Sequence, residues 1–129
     1  MKLLLLPLFF ILTISACKTQ PIEKPMAPKP LLGADLSYVN EVEDEGGVYK
    51  NKGQIAEPYQ LFADYGCQIV RLRLWHQPSW NKYSGWEDVK RSISRAKKSG
   101  MKVLLDFHYS DTWADPGKQY IPEAWAKIT

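Results

Sequence analysis

Three short runs in this chain alternate strictly between apolar and ionisable positions, and this alternation restricts the fold more than any other feature. Side chains point to opposite faces of a strand at successive residues. In IVRLRLW, residues 69–75, Arg71, Arg73 and Trp75 share one face, and Val70, Leu72 and Leu74 the other. In KVLLDFHYS, residues 102–110, Leu104, Asp106 and His108 oppose Val103, Leu105 and Phe107. In GADLSYV, residues 33–39, Gly33, Asp35 and Ser37 oppose Ala34, Leu36 and Tyr38. An open parallel sheet is covered by helices on both faces. Burying these charges unpaired would cost several kcal/mol per ion, an order of magnitude that excludes a small flavodoxin-like domain. A closed barrel removes the difficulty, because the charges can pair across its interior and meet ligand near its top. Asp106 is expected to pair with Arg71 or Arg73. Asp35, Arg71 and Asp106, early or mid-strand, suit a supporting charge network. Arg73 and His108 lie at strand C-terminal ends, the rim on which α/β barrels build their sites.

The intervals between these runs supply the crossover helices. The first strand is expected over 32–39, followed by an acidic loop (Glu41, Glu43, Asp44, Glu45) turning at Gly46-Gly47. A helix should open at Glu57-Pro58, since proline suits a first helical turn. Leu61, Phe62 and Tyr65 give its apolar side, and Gly66 stops it. After a strand over 68–75, Ser84 and Glu87 have the spacing of a capping box. Val89, Ile93 and Ala96 recur at helical spacing, Lys97 and Lys98 suit the last turn, and Gly100 ends the helix. A third strand over 102–108 leads to a third helix opening at Pro122-Glu123. Strand–helix alternation of this kind implies βαβ units and a parallel sheet. No GxGxxG, Walker loop or CxxC occurs. No cofactor or metal site is expected, and His76 reads as a surface residue.

The first 31 residues belong to a different part of the design. Lys2 followed by the apolar run from Leu3 to Ile14 has the length of a signal-peptide core rather than of a transmembrane helix. Ile14-Ser15-Ala16-Cys17 resembles the lipobox of bacterial lipoproteins. That resemblance implies a signal peptide over 1–16, lipidation of Cys17 and a membrane anchor. Lys18 beside it implies the outer membrane of a Gram-negative bacterium. Residues 17–31, with Pro21, Pro25, Pro28 and Pro30, read as a tether. The net charge of +3 is spread among interspersed acids and bases, which excludes a nucleic-acid partner. Cys17 and Cys67 make no disulfide framework, and Cys67 reads as a buried free thiol.

After the third strand, residues 109–120 place Trp113 between Asp111 and Asp115. Aromatic faces stack on the C–H face of a pyranose and carboxylates accept from its hydroxyls, so this loop reads as sugar-binding. Trp75, Trp80, Trp86 and Trp125 read as packing residues of core or rim.

Taken in order, GADLSYV, EDEGGVYKNKG, VRLRLW and GMKVLLDFHYSDTWADPGKQ resemble glycoside hydrolase family 53 from Leu32 to Trp125. The last motif is long and specific. The resemblance implies an endo-β-1,4-galactanase acting on galactan side chains of pectin, type I arabinogalactan, on a (β/α)8 TIM barrel of the clan A type. It implies retention of configuration through two glutamates about 5 Å apart, at the ends of strands four and seven. A (β/α)8 barrel takes about 250 residues, so residues 32–129 are expected to supply its first three βα units. Both catalytic glutamates are then expected beyond Thr129, and this stretch alone is expected to be inactive. Glu57, Glu87 and Glu123 lie at helix starts and are not substitutes. By resemblance, Arg73 matches the clan's second-strand arginine near the nucleophile, and His108 the third-strand histidine at the cleavage point. Asp111 and Trp113 match the loop beside it, and Asp35 and Tyr109 complete the supporting set. The alternative reading is a non-catalytic surface glycan-binding lipoprotein, favoured by the tether and the aromatic-acidic loop.

Overall fold

The computed structural model describes residues 29–128. The signal peptide, Cys17 and most of the expected tether lie outside the described residues. Strand β1 (Gly33–Asp35) leads into helix α1 (Val39–Asp44), the hairpin strands β2 (Lys50–Asn51) and β3 (Gln54–Ile55), and helix α2 (Pro58–Asp64). Strand β4 (Ile69–Leu74), helix α3 (Trp86–Lys98) and strand β5 (Lys102–Phe107) follow. The α/β alternation is as expected. β4 lies between β1 and β5, and both pairings are parallel. The register sets Asp35 beside Arg71 and Arg73 beside Asp106.

The apolar face of this sheet makes the core. Val70 and Leu72 are fully buried against Val89 and Ala96 of α3, Tyr59 of α2, and Leu36, Val39 and Met101. Each such aliphatic side chain contributes roughly 1.5–3 kcal/mol relative to exposure. α2 starts where Glu57-Pro58 indicated: the Glu57 carboxylate accepts from the Gln60 N–H at 2.7 Å. Arg95 on α3 then draws three helices together, pairing with Glu43 of α1 at 2.5 Å and with Glu57 at 2.7 Å. Burial opposes the Arg95 charge, but hydrogen bonds and attraction from these carboxylates outweigh it and raise its pKa.

Several expectations are corrected. The first strand ends at Asp35 rather than Val39, because the Ser37 N–H and hydroxyl both donate to Asp35 Oδ1 (3.0 and 2.5 Å) and turn the chain. The acidic stretch is not a loop throughout, since its first part is α1. That helix is held from outside, by the Asn40 amide donating to Asp88 Oδ1 (2.6 Å) and Ser92 Oγ (2.8 Å). Gly47 must be glycine, since a β-carbon there would lie 2.5 Å from Val42 Cγ1. The capping box is also different: α3 is N-capped by Gly85, and Glu87 reaches out to Lys90 at 2.8 Å. Residues 122–128 form successive turns rather than a helix. Cys67 is free but only half-buried, and His76 is half-buried against Trp125, with ring centroids 5.0 Å apart.

Candidate functional site

The ionisable face of the sheet divides into a lower charge chain and an upper aromatic box. In the lower part, Arg71 on the central strand bridges Asp35 on β1 and Asp106 on β5. Register alone would match Asp106 with Arg73. It pairs diagonally with Arg71 instead, because the Arg73 guanidinium is turned upward to the rim. Burial works against the Asp35 carboxylate, but hydrogen bonds from Ser37 and the Arg71 guanidinium outweigh it and lower its pKa.

His108 joins the two parts. The Trp75 indole N–H points at His108 Nδ1 (3.1 Å), and His108 Nε2 lies 3.1 Å from Asp106 Oδ2. An indole nitrogen can only donate. Nδ1 is therefore the acceptor, and the neutral ring carries its proton on Nε2, donated to Asp106. Asp106 thus fixes the tautomer and the orientation of the His108 ring, a side chain only 8% exposed.

In the upper part, the Arg73 guanidinium is walled by three aromatic rings. Its central carbon lies 4.6 Å from the Tyr38 centroid, 4.6 Å from Trp75 and 4.1 Å from Trp113. Desolvated cation–π contacts of this kind are each worth about 0.5–2 kcal/mol. Arg73 is 2% exposed and has no carboxylate in ion-pair range among the described residues. Its Nε and Nη2 donate to Ser84 Oγ at 3.1 and 2.8 Å, and its backbone N–H donates to Ser37 Oγ at 2.9 Å.

Trp113 comes to the box on the loop after β5. It meets Trp75 and His108 edge-on, with centroids 5.5 and 5.8 Å apart, and remains 45% exposed. The loop is shaped by Tyr109, at φ +50°, and by Asp111. Asp111 Oδ1 accepts from the Gln77 N–H (2.8 Å) and Oδ2 from the Glu123 N–H (2.9 Å), so this carboxylate joins three loop segments. Asp115 closes a turn on Gly117 and Lys118. A groove of about 530 Å³ lined by His108, Tyr109, Asp115, Gln119 and Tyr120 opens beside the box. A larger groove of about 830 Å³ lies between residues 76–88 and 123–127, and none of Arg73, His108 or Trp113 lines it.

Arg73, His108 and Trp113 thus converge, Asp35 supports them from below, and Tyr109 and Asp111 set the loop. Sequence reasoning missed Tyr38, which the turn after β1 swings out of its strand face and over Arg73. It also missed Ser84, taken for a helix cap. Trp75 packs, as expected, but it also walls Arg73 and donates to His108, and its place on the Arg73 face is the sequence signal for this. Among the described residues, no group of three or more His, Cys, Asp or Glu could hold a metal. The box offers aromatic faces, an imidazole and a guanidinium, which suit holding a polyhydroxylated ring. The two carboxylates below the box, Asp35 and Asp106, are committed to Arg71 and His108. Glu57 and Glu87 are likewise committed, to α2 and Arg95 and to Lys90.

The family model described as glycosyl hydrolase family 53 matches residues 31–129. The chain is 60% identical over 98 residues to an arabinogalactan endo-β-1,4-galactanase of Cellvibrio japonicus, covering 76% of this chain and 26% of that protein. It is 42% identical over 105 residues to an endo-β-1,4-galactanase of Bacillus subtilis, covering 75% and 24%. Among solved structures, fungal β-1,4-galactanases superpose with a TM-score of 0.71 at 38% identity, covering 74% of this chain and 29% of theirs. The glycoside hydrolase family 53 catalytic domain of Ignisphaera aggregans superposes at 0.72 and 31% identity, covering 82% and 32%. The chain spans about a quarter of the length of the curated relatives it matches.

Proposed function

This chain belongs to glycosyl hydrolase family 53, and on that premise we propose that the whole protein is an endo-β-1,4-galactanase. Its substrate is the β-1,4-galactan of type I arabinogalactan, the side chains of pectin, cleaved with retention. The observation that carries this reading is the rim cluster of Arg73, His108 and Trp113, built within a stretch 60% identical to a galactanase. The three parallel strands form the first third of a (β/α)8 barrel, whose interior is the face bearing Arg71, Asp106 and the half-exposed Leu104. In that barrel Trp113 and Tyr38 offer aromatic faces to a galactose ring. His108, held by Asp106 and Trp75, orients a hydroxyl at the cleavage point. Arg73 sets a fixed positive charge there, and Tyr109 and Asp111 shape the loop that bounds the sugar.

The two glutamates that retention requires, about 5 Å apart, are expected beyond Thr129, so the 129 residues alone should not cleave galactan. Residues 1–16 are a lipoprotein signal, Cys17 carries the lipid, and the prolines of 17–31 hold the barrel off an outer membrane.

The test is the release of reducing ends from purified β-1,4-galactan. The full-length protein should produce them with initial retention of anomeric configuration, and the 129-residue chain should produce none above a blank. Galactan binding without cleavage by the full-length protein would favour a glycan-binding lipoprotein instead. Reducing sugar released by the 129-residue chain would overturn the assignment of the chemistry to residues beyond Thr129.

A further inference from the structure

Ser84 is in an unusual position for a serine in a loop. It is 1% exposed, and its backbone has φ +60°, in the left-handed region that non-glycine residues seldom occupy. Its backbone N–H, its carbonyl and its hydroxyl oxygen are all engaged. Its N–H donates to Asp88 Oδ2 at 2.8 Å, and its carbonyl accepts from the Trp75 N–H at 2.8 Å. Its hydroxyl oxygen accepts from both Nε and Nη2 of Arg73. Asp88 is in turn held through Oδ1 by the Asn40 amide at 2.6 Å, and Asn40 Oδ1 accepts from Arg95 at 2.8 Å. A continuous set of hydrogen bonds therefore runs from the helix layer to the guanidinium at the rim. The three rings around Arg73 restrain its position but accept no directed hydrogen bond in their planes. Ser84 Oγ is its one side-chain hydrogen-bond acceptor among the described residues, and Nη1 is left without one.

We propose that Ser84 is a positioning residue for the galactanase reaction. Its hydroxyl fixes the rotation of the Arg73 guanidinium within the aromatic box, so that Nη1 is presented to the group in the site that Arg73 serves. Asp88 acts one step behind, holding the Ser84 backbone in the left-handed conformation that brings Oγ to Arg73. The proposal rests on the galactanase reading, and it adds two residues that lie in the loop after β4 and in α3 rather than on a strand.

The experiment is a double-mutant cycle in the full-length protein, with kcat and KM on β-1,4-galactan and the melting temperature as readouts. S84G removes the acceptor at a φ that glycine takes without strain, so the melting temperature should hold while kcat falls. Losing a hydrogen bond to a charged group corresponds to a fall of roughly tenfold to a hundredfold. KM should stay within about twofold, because the interaction is one of positioning rather than of substrate contact. In an R73K background, S84G should add less than about a twofold loss, as residues acting through one another do not add. S84A, which leaves the backbone as it is, carries the same comparison if S84G lowers the melting temperature. Wild-type kcat in both Ser84 variants, beside an impaired R73K, would overturn the proposal alone. So would an equal fold-loss from S84G with and without R73K. Undiminished kcat in R73K would overturn the galactanase reading of Arg73, and the proposal with it.

Discussion

Arg71 and Arg73 stand two residues apart on one face of one strand, and their surroundings are opposite. Arg71 is 41% exposed and bridges two carboxylates. Arg73 is buried among three aromatic rings, and among the described residues its guanidinium donates only to Ser84 Oγ. A guanidinium that bridges Asp35 and Asp106 is neutralised by them and joins three strands. A guanidinium that is desolvated with no carboxylate partner among the described residues keeps its field for the group in the site that it faces, because low local dielectric strengthens uncompensated charge. The lower arginine serves the sheet and the upper one serves the rim.

The largest effect should follow from removing the upper charge. In the full-length protein, R73A should lower kcat/KM on β-1,4-galactan by roughly a hundredfold to a thousandfold, the scale of losing one preorganised electrostatic contact. A loss under fivefold would place Arg73 outside the reaction. Next comes D106N, which takes a charged acceptor from Arg71 and His108 together. It should destabilise the full-length protein by about 2 kcal/mol in a urea titration. Near-zero loss would break the contrast by making the lower chain decorative. W113A removes one wall of the box while leaving its two others, and should reduce kcat/KM about tenfold, the value of one desolvated cation–π and stacking contact.

The smallest effect belongs to Asp35. Its pKa is lowered in the folded protein, since hydrogen bonds from Ser37 and Arg71 outweigh the opposing effect of burial. A depressed folded pKa means that the carboxylate stabilises the fold above its ordinary value of 3.8. That stabilisation is lost as pH falls through the lowered folded value. The side chain is 43% exposed, so solvent screening holds the contribution below about 1 kcal/mol. The melting temperatures of wild type and D35N should differ at neutral pH and converge in acid. A gap that widens as pH falls would reverse the sign assigned to Asp35.

The contrast between the arginines was partly legible in the residues themselves. Period-two alternation places Arg71, Arg73, Trp75, Asp106 and His108 on one face without any knowledge of packing, and an Asp106–arginine pair follows from the cost of burying either charge alone. Which arginine takes Asp106 depends on side-chain direction, and strand pattern carries none. Helix α1 was hidden because its six residues have no side-chain cap and depend on Asn40 reaching Asp88 and Ser92 far along the chain. Ser84 was misread for a related reason. A serine three residues before a glutamate at a helix start has the local signature of a cap, and only the fold shows its hydroxyl turned to Arg73. Tyr38 followed the same course, since it leaves the strand face when Asp35 and Ser37 end the strand early. The helix expected at Pro122-Glu123 rested on the opening residues alone. In the structure those residues turn back on Asp111 instead.

The most direct test sets the two arginines against each other with the most conservative change available. R71K and R73K would each be made in the full-length protein, measuring kcat on β-1,4-galactan and melting temperature side by side. Lysine keeps the charge but loses the planar fork. R71K should lower the melting temperature by about 1–2 °C, the shift that about 1 kcal/mol produces in a protein of this full length, and leave kcat within about threefold. R73K should lower kcat by at least about tenfold, the scale of one charged hydrogen bond, at a melting temperature nearer to wild type. Equal losses of kcat in the two variants, or a larger loss in R71K, would contradict the division of labour between them.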